Sequence, residues 1–327
     1  MPLSAPKICV TRRLPPATEA HLARAYAAEL NLADHQYSAD DLRGALARCD
    51  ILLCTLTDRL TRDVLHAPDR RAVMLANFGV GVNHIDLDAA REAGLQVTNT
   101  PGVLTEDTAD LTMLLILAVA RRAFEGDREL RAGNWGGWRP THMLGTRVSG
   151  KTLGIVGFGR IGRAVAQRAA RGFGMHVLYH SRRQLPDEAS VSGAEWRDSP
   201  EALLRDSDMV SLHCPATPET RHLINARALA CMRPTAHLIN TARGDVVDEE
   251  ALIEALRSGQ LAGAALDVYE HEPAVPQSLL SLANVVTLPH LGSATVESRE
   301  AMGERVLRNI AAFVSGDPPP DLVTSGG

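Results

Sequence analysis

The chain has 327 residues, a length that usually corresponds to two domains rather than one large core. Hydrophobic residues make up 45% of it, charged residues 22%, and the formal net charge is −5. This composition lacks the strongly basic balance of proteins that bind nucleic acid or an anionic membrane surface, so we expect neither as a partner.

Cysteine usage and the N-terminus bear on the cellular setting. The five cysteines are odd in number and form no CxxC pair, which argues against a disulfide framework and against a zinc site. The start of the chain, MPLSAPKICV, lacks the apolar segment of a signal peptide, and the longest apolar run, 113–120, is too short to span a bilayer. We therefore expect a cytoplasmic protein without a metal site.

The first part of the chain alternates short apolar runs with amphipathic helical patterns. Strands are predicted at 7–10, 51–56, 72–76 and 95–99, and helices at 17–28, 40–47, 62–66 and 88–93. Strands separated by helices in this way predict a parallel sheet covered on both faces. This part has no GxGxxG motif, so we expect it to bind something other than a dinucleotide.

A strong helical pattern over 105–121 starts with acidic residues and ends with Arg121 and Arg122, an order that suits the helix dipole. Its apolar middle predicts a buried helix at a domain junction. The glycine-rich segment that follows contains Trp135 and Trp138, and large exposed aromatic side chains usually contact a partner. We interpret this segment as an arm at a subunit interface, or alternatively as a loop packed on its own domain.

The segment 151–183 reads as strand, glycine turn, helix and strand. An apolar run at 153–156 leads into the glycines of a GxGxxG motif, which are Gly157, Gly159 and Gly162. In this βαβ context the motif predicts a dinucleotide site. We expect Gly157 to allow the sharp turn, Gly159 to let the backbone approach a pyrophosphate, and Gly162 to let the helix pack closely on its strand.

The end of the second strand of this unit indicates which dinucleotide binds. An NAD site usually carries an Asp or Glu about 20 residues beyond the glycines, where it accepts hydrogen bonds from the ribose hydroxyls. This chain has His180, Ser181, Arg182 and Arg183 there, and no acid. Because Arg presents a charged, planar fork of donors that suits a 2′-phosphate, we predict a preference for NADP(H), with NAD(H) possible. The alternative is that the arginines are only the solvated end of a strand.

Further strands are predicted at 209–213, 237–240, 264–267 and 285–288, and helices at 200–205, 226–231, 249–257 and 296–314. In open parallel sheets ligands bind beyond the carboxyl ends of the strands, and three of these ends are followed by Arg243, Glu272 and His290. Arg243 can bind a carboxylate, His290 can transfer a proton near neutral pH, and Glu272 can orient the imidazole. Each residue alone has a structural interpretation, but together they predict hydride transfer to a 2-keto acid. His271 is the nearest alternative to His290 because it adjoins Glu272, but it lacks a position at a strand end.

Five segments resemble the D-isomer-specific 2-hydroxyacid dehydrogenases: GFGRIG, LINTARGDVVDEEAL, ALDVYEHEP, PHLGSAT and ANFGVGVNHIDLDAAREAGLQVTNTPGVLTEDTADL. The resemblance covers nearly the whole chain. It implies an α/β fold with two doubly wound parallel-sheet domains, a flavodoxin-like substrate domain and a Rossmann cofactor domain, with the active site in the cleft between them. The implied substrate domain spans 1–104 plus 292–327, the NAD(P)-binding domain spans 105–291, and a homodimer is implied to form through the cofactor domain and its arm.

The resemblance also assigns roles to single residues. It implies catalysis by Arg243, Glu272 and His290. It implies that the backbone N–H groups of Val80 and Gly81 hold the substrate carboxylate, and the substrate-binding set is Leu56, Val80, Gly81, Arg243 and His290. It implies that Asp267 contacts the nicotinamide amide, and the cofactor-binding set is Gly157, Phe158, Gly159, Arg160, Ile161, Gly162, Ser181, Arg182, Arg183, His213, Thr108, Thr241, Ala242, Asp267 and Gly292.

Within the family, the Ser-Arg-Arg sequence and the short chain are most similar to glyoxylate and hydroxypyruvate reductases that prefer NADPH, while Glu272 argues against the formate dehydrogenase branch. We therefore predict reduction of glyoxylate to glycolate and of hydroxypyruvate to D-glycerate, with His290 as general acid. Leu56 and Trp138 are candidates for the pocket lining that sets substrate size. The alternatives are an enzyme acting on D-lactate, phosphite or a larger keto acid, and a nucleotide-sensing binding protein similar to the family's corepressor relatives.

Overall fold

The computed structural model describes residues 5–186 and 193–323. Its contacts divide the chain into two compact units, one formed by Met1–Leu104 with Thr295–Gly327 and the other by Thr105–Ala294. Each unit contains one parallel sheet with helices, which confirms the predicted α/β class. None of the helices within the described ranges is both long and apolar enough to cross a membrane.

The strands are β1 (Ile8–Val10), β2 (Ile51–Thr55), β3 (Met74–Phe78), β4 (Gln96–Thr98), β5 (Thr152–Val156), β6 (His176–His180), β7 (Glu195–Trp196), β8 (Met209–Leu212), β9 (His237–Asn240), β10 (Gly263–Leu266) and β11 (Val285–Thr287). The helices are α1 (Pro16–Tyr26), α2 (Ala39–Arg48), α3 (Arg62–Leu65), α4 (Leu87–Glu92), α5 (Thr105–Ala120), α6 (Ala123–Arg131), α7 (Arg160–Phe173), α8 (Pro200–Asp206), α9 (Ala226–Leu229), α10 (Glu249–Arg257), α11 (Gln277–Leu280) and α12 (Val296–Ser315). The sequence did not predict α6, β7 or α11.

The first unit is built on a four-stranded parallel sheet in the order β1-β2-β3-β4. Glu29 adds a parallel bridge on the outer side of β1, next to Cys9. Counting that bridge as a strand gives the order 2-1-3-4-5, which is the flavodoxin-like arrangement. Successive strand residues alternate between two buried clusters, one packed with α2, α3 and α4 and the other with α1 and α12. The predicted covering of both faces is therefore confirmed for this sheet.

The chain's final helix belongs to this first unit through a buried polar cluster. Asn309 of α12 is fully buried; its amide donates to the carbonyl of Asn99 at 3.3 Å and to the Asp321 carboxylate at 3.1 Å. Asp321 in turn accepts two hydrogen bonds from Arg305 and donates its own N–H to Asn309. Because buried polar groups are costly unless they are paired, this cluster fixes α12 and the segment after it against the end of β4.

The second unit is built on a seven-stranded parallel sheet in the order β11-β10-β9-β8-β5-β6-β7. The chain starts at β5, proceeds outward to β7, and then returns to β8 on the other side of β5. This is the doubly wound Rossmann order, and its change of direction between β5 and β8 marks the edge where ligands bind in such sheets. The GxGxxG turn follows β5 directly, so it lies at that point.

Helix α5 is the buried helix that the sequence predicted, with Leu115 and Ile116 fully buried. It ends at Ala120, and no basic residue lies in its last turn. The helix thus ends one residue before the predicted end at 121; Arg121 follows it directly, and its N–H donates to the carbonyl of Leu117 at 3.0 Å. Arg122 instead adopts a left-handed conformation at φ +53°, precedes α6 and forms an ion pair with Glu125.

Candidate active site

Three polar side chains follow neighbouring strands at the carboxyl edge of the seven-stranded sheet. β9, β10 and β11 lie side by side in parallel, and Arg243, Glu272 and His290 come after them in that order. Parallel strands present their carboxyl ends at one edge, so topology alone delivers the three residues to the same rim. The sequence predicted each of these strand-end positions.

Glu272 and His290 form a hydrogen-bonded pair. The Nδ1 atom of His290 lies 2.8 Å from Glu272 Oε2, and the other oxygen of Glu272 accepts the backbone N–H of Tyr269 at 3.0 Å. Burial acts to raise the pKa of the Glu272 carboxyl, but the hydrogen bond and charge of His290, the Tyr269 N–H and the charge of Arg243 together lower it below its usual value. Glu272 is therefore a charged acceptor at neutral pH, so Nδ1 carries a proton and Nε2 is turned away from the pair.

The backbone of His290 is held in an uncommon conformation. Its φ is +56°, in the left-handed region, which costs a side chain other than glycine about 1–3 kcal/mol. The N–H of His290 donates to the carbonyl of Asp267 at 2.9 Å, and the two oxygens of the Asp267 carboxylate accept the N–H groups of Leu291 and Gly292 at 2.7 and 2.8 Å. Asp267 thus wraps the turn that presents the imidazole, a role the sequence did not indicate.

The carboxyl of Asp267 is buried, which is unusual for an acidic side chain. Its exposed fraction is 1%, and burial raises its pKa, although the two backbone N–H groups and the charge of His290 oppose that shift. The hydroxyl of Thr108 donates to the carbonyl of Gly292 at 2.9 Å, so α5 holds the same turn from another side. Thr108, Asp267 and Gly292 were predicted as cofactor-binding residues, and the structure joins them in one hydrogen-bonded group.

Arg243 lies in a turn that packs closely on the Glu272 loop. The side chain of Asn240 accepts the N–H of Ala242 at 3.0 Å and donates to the carbonyl of Arg243 at 2.9 Å. A Cβ on Gly244 would come within 1.9–2.3 Å of the backbone of Tyr269 and Glu270, so only glycine allows this approach. Burial lowers the pKa of the Arg243 guanidinium, while the charges of Glu272 and Asp245 raise it, and an arginine remains protonated under such shifts.

Thr241 and Ala242, predicted as cofactor residues, occupy the same turn after β9. The Thr241 hydroxyl lies 3.0 Å from that of Thr112, which donates to the carbonyl of Thr108 at 2.8 Å. Helix α5 therefore supports both the turn after β9 and, through Thr108, the turn after β11. The predicted residues on these two turns share one scaffold.

The glycine turn after β5 fits a dinucleotide pyrophosphate. Gly157 has φ +93°, and a Cβ there would lie 2.5 Å from the backbone of Cys214; a Cβ on Gly162 would lie 2.3 Å from the carbonyl of Gly157. A Cβ on Gly159 would meet nothing within 4 Å, so this glycine leaves open space rather than satisfying a contact within the protein.

The same turn begins α7 without a capping side chain and without an acid in the first turn. The first N–H groups of the helix, from Arg160, Ile161 and Gly162, therefore face the open space as donors at the positive end of the dipole. These properties match the requirements of a bound pyrophosphate. Phe158, also predicted here, is buried beneath the turn.

The segment after β6 carries the three residues predicted to read the ribose. The hydroxyl of Ser181 donates to the carbonyl of Arg183 at 2.6 Å. Arg182 and Arg183 are exposed, and within residues 5–186 and 193–323 neither guanidinium makes a hydrogen bond or an ion pair. Two charged forks are thus available to a ligand at the end of β6; the charge of Arg182 also helps to lower the pKa of Glu219.

His213 follows β8 beside the glycine turn, and the residue is half-buried. Its Nε2 lies 2.8 Å from the hydroxyl of Ser211. Burial lowers the pKa of His213 to about 3, so the ring is neutral throughout the physiological range. The ring can therefore contact a cofactor as a neutral polar group, but it contributes no charge.

The predicted substrate-binding residues Leu56, Val80 and Gly81 lie in the first unit, after the carboxyl ends of β2 and β3. The loop of Val80 and Gly81 has its carbonyls tied down: Asn77 donates to those of Gly79 and Gly81 at 3.0 Å each, and Asn99 to that of Val80 at 2.9 Å. In the part of the chain that the structure describes, the N–H groups of Val80 and Gly81 donate to no protein acceptor. Adjacent N–H groups without a protein acceptor have the chemistry needed to bind an anion.

The loop of Leu56 is shaped by a buried acid. Asp58 accepts the N–H of Thr55 at 2.7 Å and the hydroxyl of Thr11 at 2.5 Å, and burial raises the pKa of its carboxyl. Leu56, between these anchored residues, is 38% exposed. The loop thus presents an apolar side chain on a fixed support.

Sequence reasoning missed the residues that position the predicted ones. Asn77, Asn99 and Asn240 hold the two binding turns, and Tyr269 supports Glu272. For the asparagines a signal was available, because a polar residue at the end of an otherwise buried strand requires a partner. Tyr269 gave no such signal. No group of three His, Cys, Asp or Glu side chains within the described ranges could hold a metal ion.

We expect the desolvated ring of His213 to lower the stability of the protein in acid. In the unfolded chain a His protonates near pH 6.5, whereas in the folded protein His213 stays neutral down to about pH 3. The unfolded state then binds more protons between these values, so the free energy of unfolding decreases as pH falls through that window. Urea unfolding of the wild type and of His213→Gln at pH 7.5 and 5 should show up to about 2 kcal/mol more loss for the wild type. Equal losses in both proteins would contradict a lowered pKa of the His213 imidazole in the folded protein.

Comparison with known proteins agrees with this geometry. A family model described as D-isomer specific 2-hydroxyacid dehydrogenase, NAD binding domain, matches residues 113–292. The chain is 46% identical over 323 residues to the curated glyoxylate reductase of Thermococcus litoralis, covering 97% of this chain and 96% of that protein.

Two solved structures are similar as well. The NADPH-dependent glyoxylate/hydroxypyruvate reductase of Sinorhizobium meliloti, in complex with NADP and malonate, has a TM-score of 0.87 and 34% identity, over 98% of this chain and 97% of that one. A glyoxylate reductase from Paecilomyes thermophila has a TM-score of 0.87 and 32% identity, over 99% of this chain and 100% of that one. The resemblance seen in the sequence motifs is confirmed: the chain belongs to the D-isomer-specific 2-hydroxyacid dehydrogenase family and is an oxidoreductase with an NAD-binding domain.

Proposed function

We propose that this protein is a reductase of small 2-keto acids that prefers NADPH and converts glyoxylate to glycolate and hydroxypyruvate to D-glycerate. The observation that carries the cofactor preference is the pair Arg182 and Arg183, exposed and without ion pairs among the described residues where an NAD site has an acid. The substrate class is supported by the names of the relatives in Thermococcus litoralis and Sinorhizobium meliloti. The five free cysteines favour a reducing compartment such as the cytoplasm.

The cofactor is held, in this proposal, by backbone donors and by side chains of the second unit. The N-terminus of α7 and the glycine turn bind the pyrophosphate, and Ser181, Arg182 and Arg183 bind the 2′-phosphate. The turns that carry Thr241, Ala242, Asp267 and Gly292 position the nicotinamide end. Hydride transfer is the chemistry that the bound cofactor supplies.

The proton is supplied by His290. Glu272 accepts the Nδ1–H of the imidazole, which leaves the Nε2–H of the protonated ring to be donated to the substrate's carbonyl oxygen. The carboxylate of Glu272, whose pKa is lowered, stabilises the imidazolium before the proton is given up. The turn held by Asp267 fixes the direction in which the ring points.

In this proposal Arg243 binds the substrate's carboxylate and carbonyl. The planar guanidinium of Arg243 offers several donors, so it can bind the carboxylate and polarise the adjacent carbonyl. The unengaged N–H groups of Val80 and Gly81 bind the carboxylate. Leu56 restricts the space beside the substrate's carbon chain, which favours acids of two or three carbons.

The protein is, in our proposal, a homodimer assembled through the second unit. Trp135 and Trp138 are 54% and 82% exposed in a glycine-rich segment, and tryptophan side chains are enriched at interfaces. A partner subunit that covers them would remove a large apolar area from water.

Replacing His290 by Gln should lower kcat for glyoxylate with NADPH by roughly 10²- to 10⁴-fold, because the general acid is lost. Arg243→Ala should cause a comparable loss. The exposed neighbour of Glu272 provides the matched control: His271→Gln should keep the wild-type rate. Calorimetric titration with NADPH should give nearly unchanged affinity in all three variants. Wild-type turnover that survives either catalytic change would refute the assignment, and tight NADPH binding without any turnover in the wild type would favour a nucleotide-sensing protein.

The double variant Arg182→Ser with Arg183→Ser should raise the KM for NADPH by roughly tenfold or more, because each charge-assisted hydrogen bond to the phosphate is lost. The KM for NADH should change by no more than about twofold, since NADH lacks the group that the arginines bind. Arg171→Ser, at the far end of α7, removes an exposed arginine from the same unit and serves as control. An equal loss for both cofactors would show that the arginines do not read the 2′-phosphate.

Sedimentation equilibrium should give the mass of a dimer for the wild type. Trp138→Asp should shift the distribution toward monomer, because a charge at the centre of an apolar contact opposes burial. Leu32→Asp, a substitution of a large apolar residue in the first unit that is 66% exposed, should leave the dimer intact. A wild-type protein that sediments as a monomer at micromolar concentration would contradict the proposal.

A further inference from the structure

Tyr179 contacts both parts of the cofactor site from beneath. It lies in β6, is 2% exposed, and its ring stacks on that of Phe158 with centroids 4.2 Å apart and planes inclined by 21°. Phe158 is the second residue of the glycine turn. The hydroxyl of Tyr179 accepts the backbone N–H of Leu185 at 3.2 Å. One side chain therefore touches the pyrophosphate turn with its ring and the arginine segment with its hydroxyl.

The arginine segment, residues 181–185, has no regular secondary structure, so its shape depends on a few hydrogen bonds. At its start, the carbonyl of Ser181 lies 3.5 Å from the indole nitrogen of Trp196, and the Ser181 hydroxyl donates to the carbonyl of Arg183. At its end, the hydrogen bond from the N–H of Leu185 to the hydroxyl of Tyr179 fixes the segment to β6. These bonds engage backbone atoms and Ser181, and both guanidiniums are left to a ligand.

The hydroxyl of Tyr179 has a different task from its ring. The ring fills the core beneath the glycine turn, which a phenylalanine would do equally well. The hydroxyl adds one hydrogen bond, and its partner belongs to the segment that carries Arg182 and Arg183. A binding group gains affinity when its support holds it in the bound geometry before the ligand arrives.

We propose that Tyr179 is a positioning residue for recognition of the cofactor's 2′-phosphate: its stacking on Phe158 anchors the ring, and its hydrogen bond to Leu185 sets the shape of the arginine segment. This inference rests on the proposed preference for NADPH. It assigns cofactor discrimination to a buried side chain that touches no part of the phosphate itself.

The test is direct binding of NADPH and NADH to Tyr179→Phe, measured by isothermal titration calorimetry without substrate. Loss of one hydrogen bond that orders the arginine segment should weaken NADPH binding by roughly three- to tenfold. Binding of NADH should change by less than about twofold, because that cofactor makes no use of the arginines. Tyr37→Phe, which removes a tyrosine hydroxyl from the first unit, is the matched control and should bind both cofactors like the wild type.

Thermal unfolding of the cofactor-free proteins separates positioning from general stability. Tyr179→Phe keeps the packed ring, so its melting temperature should stay close to that of the wild type. A parallel loss of NADPH and NADH affinity with a lowered melting temperature would make Tyr179 a structural residue and overturn the inference. Unchanged affinity for NADPH would overturn it as well.

A double-mutant cycle identifies the route of the effect. If Tyr179 acts through the arginines, Tyr179→Phe should have no further effect on NADPH affinity in a protein that already carries Arg182→Ser and Arg183→Ser. A full additional loss in that background would contradict the proposal. If the wild type binds NADH as tightly as NADPH, the proposed cofactor preference itself fails, and this outcome is distinct from a wild type that prefers NADPH but is indifferent to Tyr179→Phe.

Discussion

The hydrogen bond between His290 and Glu272 is the interaction on which the proposed chemistry of this protein depends. It assigns the proton to Nδ1, turns Nε2 outward, and keeps a carboxylate next to a ring that must carry positive charge. The arrangement is supported at a cost, since His290 adopts a left-handed backbone. Asp267 offsets that cost with two charge-assisted hydrogen bonds to the following turn.

Other turns that carry predicted site residues are held in the same way, by buried polar side chains that form hydrogen bonds with backbone atoms. α5 reaches the turn after β11 through Thr108 and the turn after β9 through Thr112. In the first unit, the cluster around Asn309 fixes Asn99, whose side chain holds the carbonyl of Val80. A fold that is mostly hydrophobic packing thus uses its buried amides and hydroxyls to orient binding turns.

Much of this could be predicted from the sequence, for a physical reason. Strand periodicity and the GxGxxG spacing are local signals, and a parallel sheet places its strand ends together, so Arg243, Glu272 and His290 could be found without coordinates. The positioning residues could not, because a hydrogen bond from the N–H of Gly292 to Asp267, or from the N–H of Leu185 to Tyr179, depends on chain geometry that no short pattern encodes. The short elements α11 and β7 were missed because their patterns are too brief to stand out from loops. The end of α5 was placed one residue too late because two basic residues suit a helix terminus whether or not the helix includes them.

The central claim is that the protein delivers a hydride from a nicotinamide cofactor to the carbonyl carbon of a 2-keto acid. The most direct measurement is to incubate the wild-type protein with glyoxylate and NADPH that carries one deuterium at C4 of the nicotinamide. The two C4 epimers are tested separately, and the glycolate is analysed by mass spectrometry. Our account expects one epimer to give glycolate with a single deuterium at C2. Glycolate without deuterium from either epimer, or no glycolate at all, would contradict it.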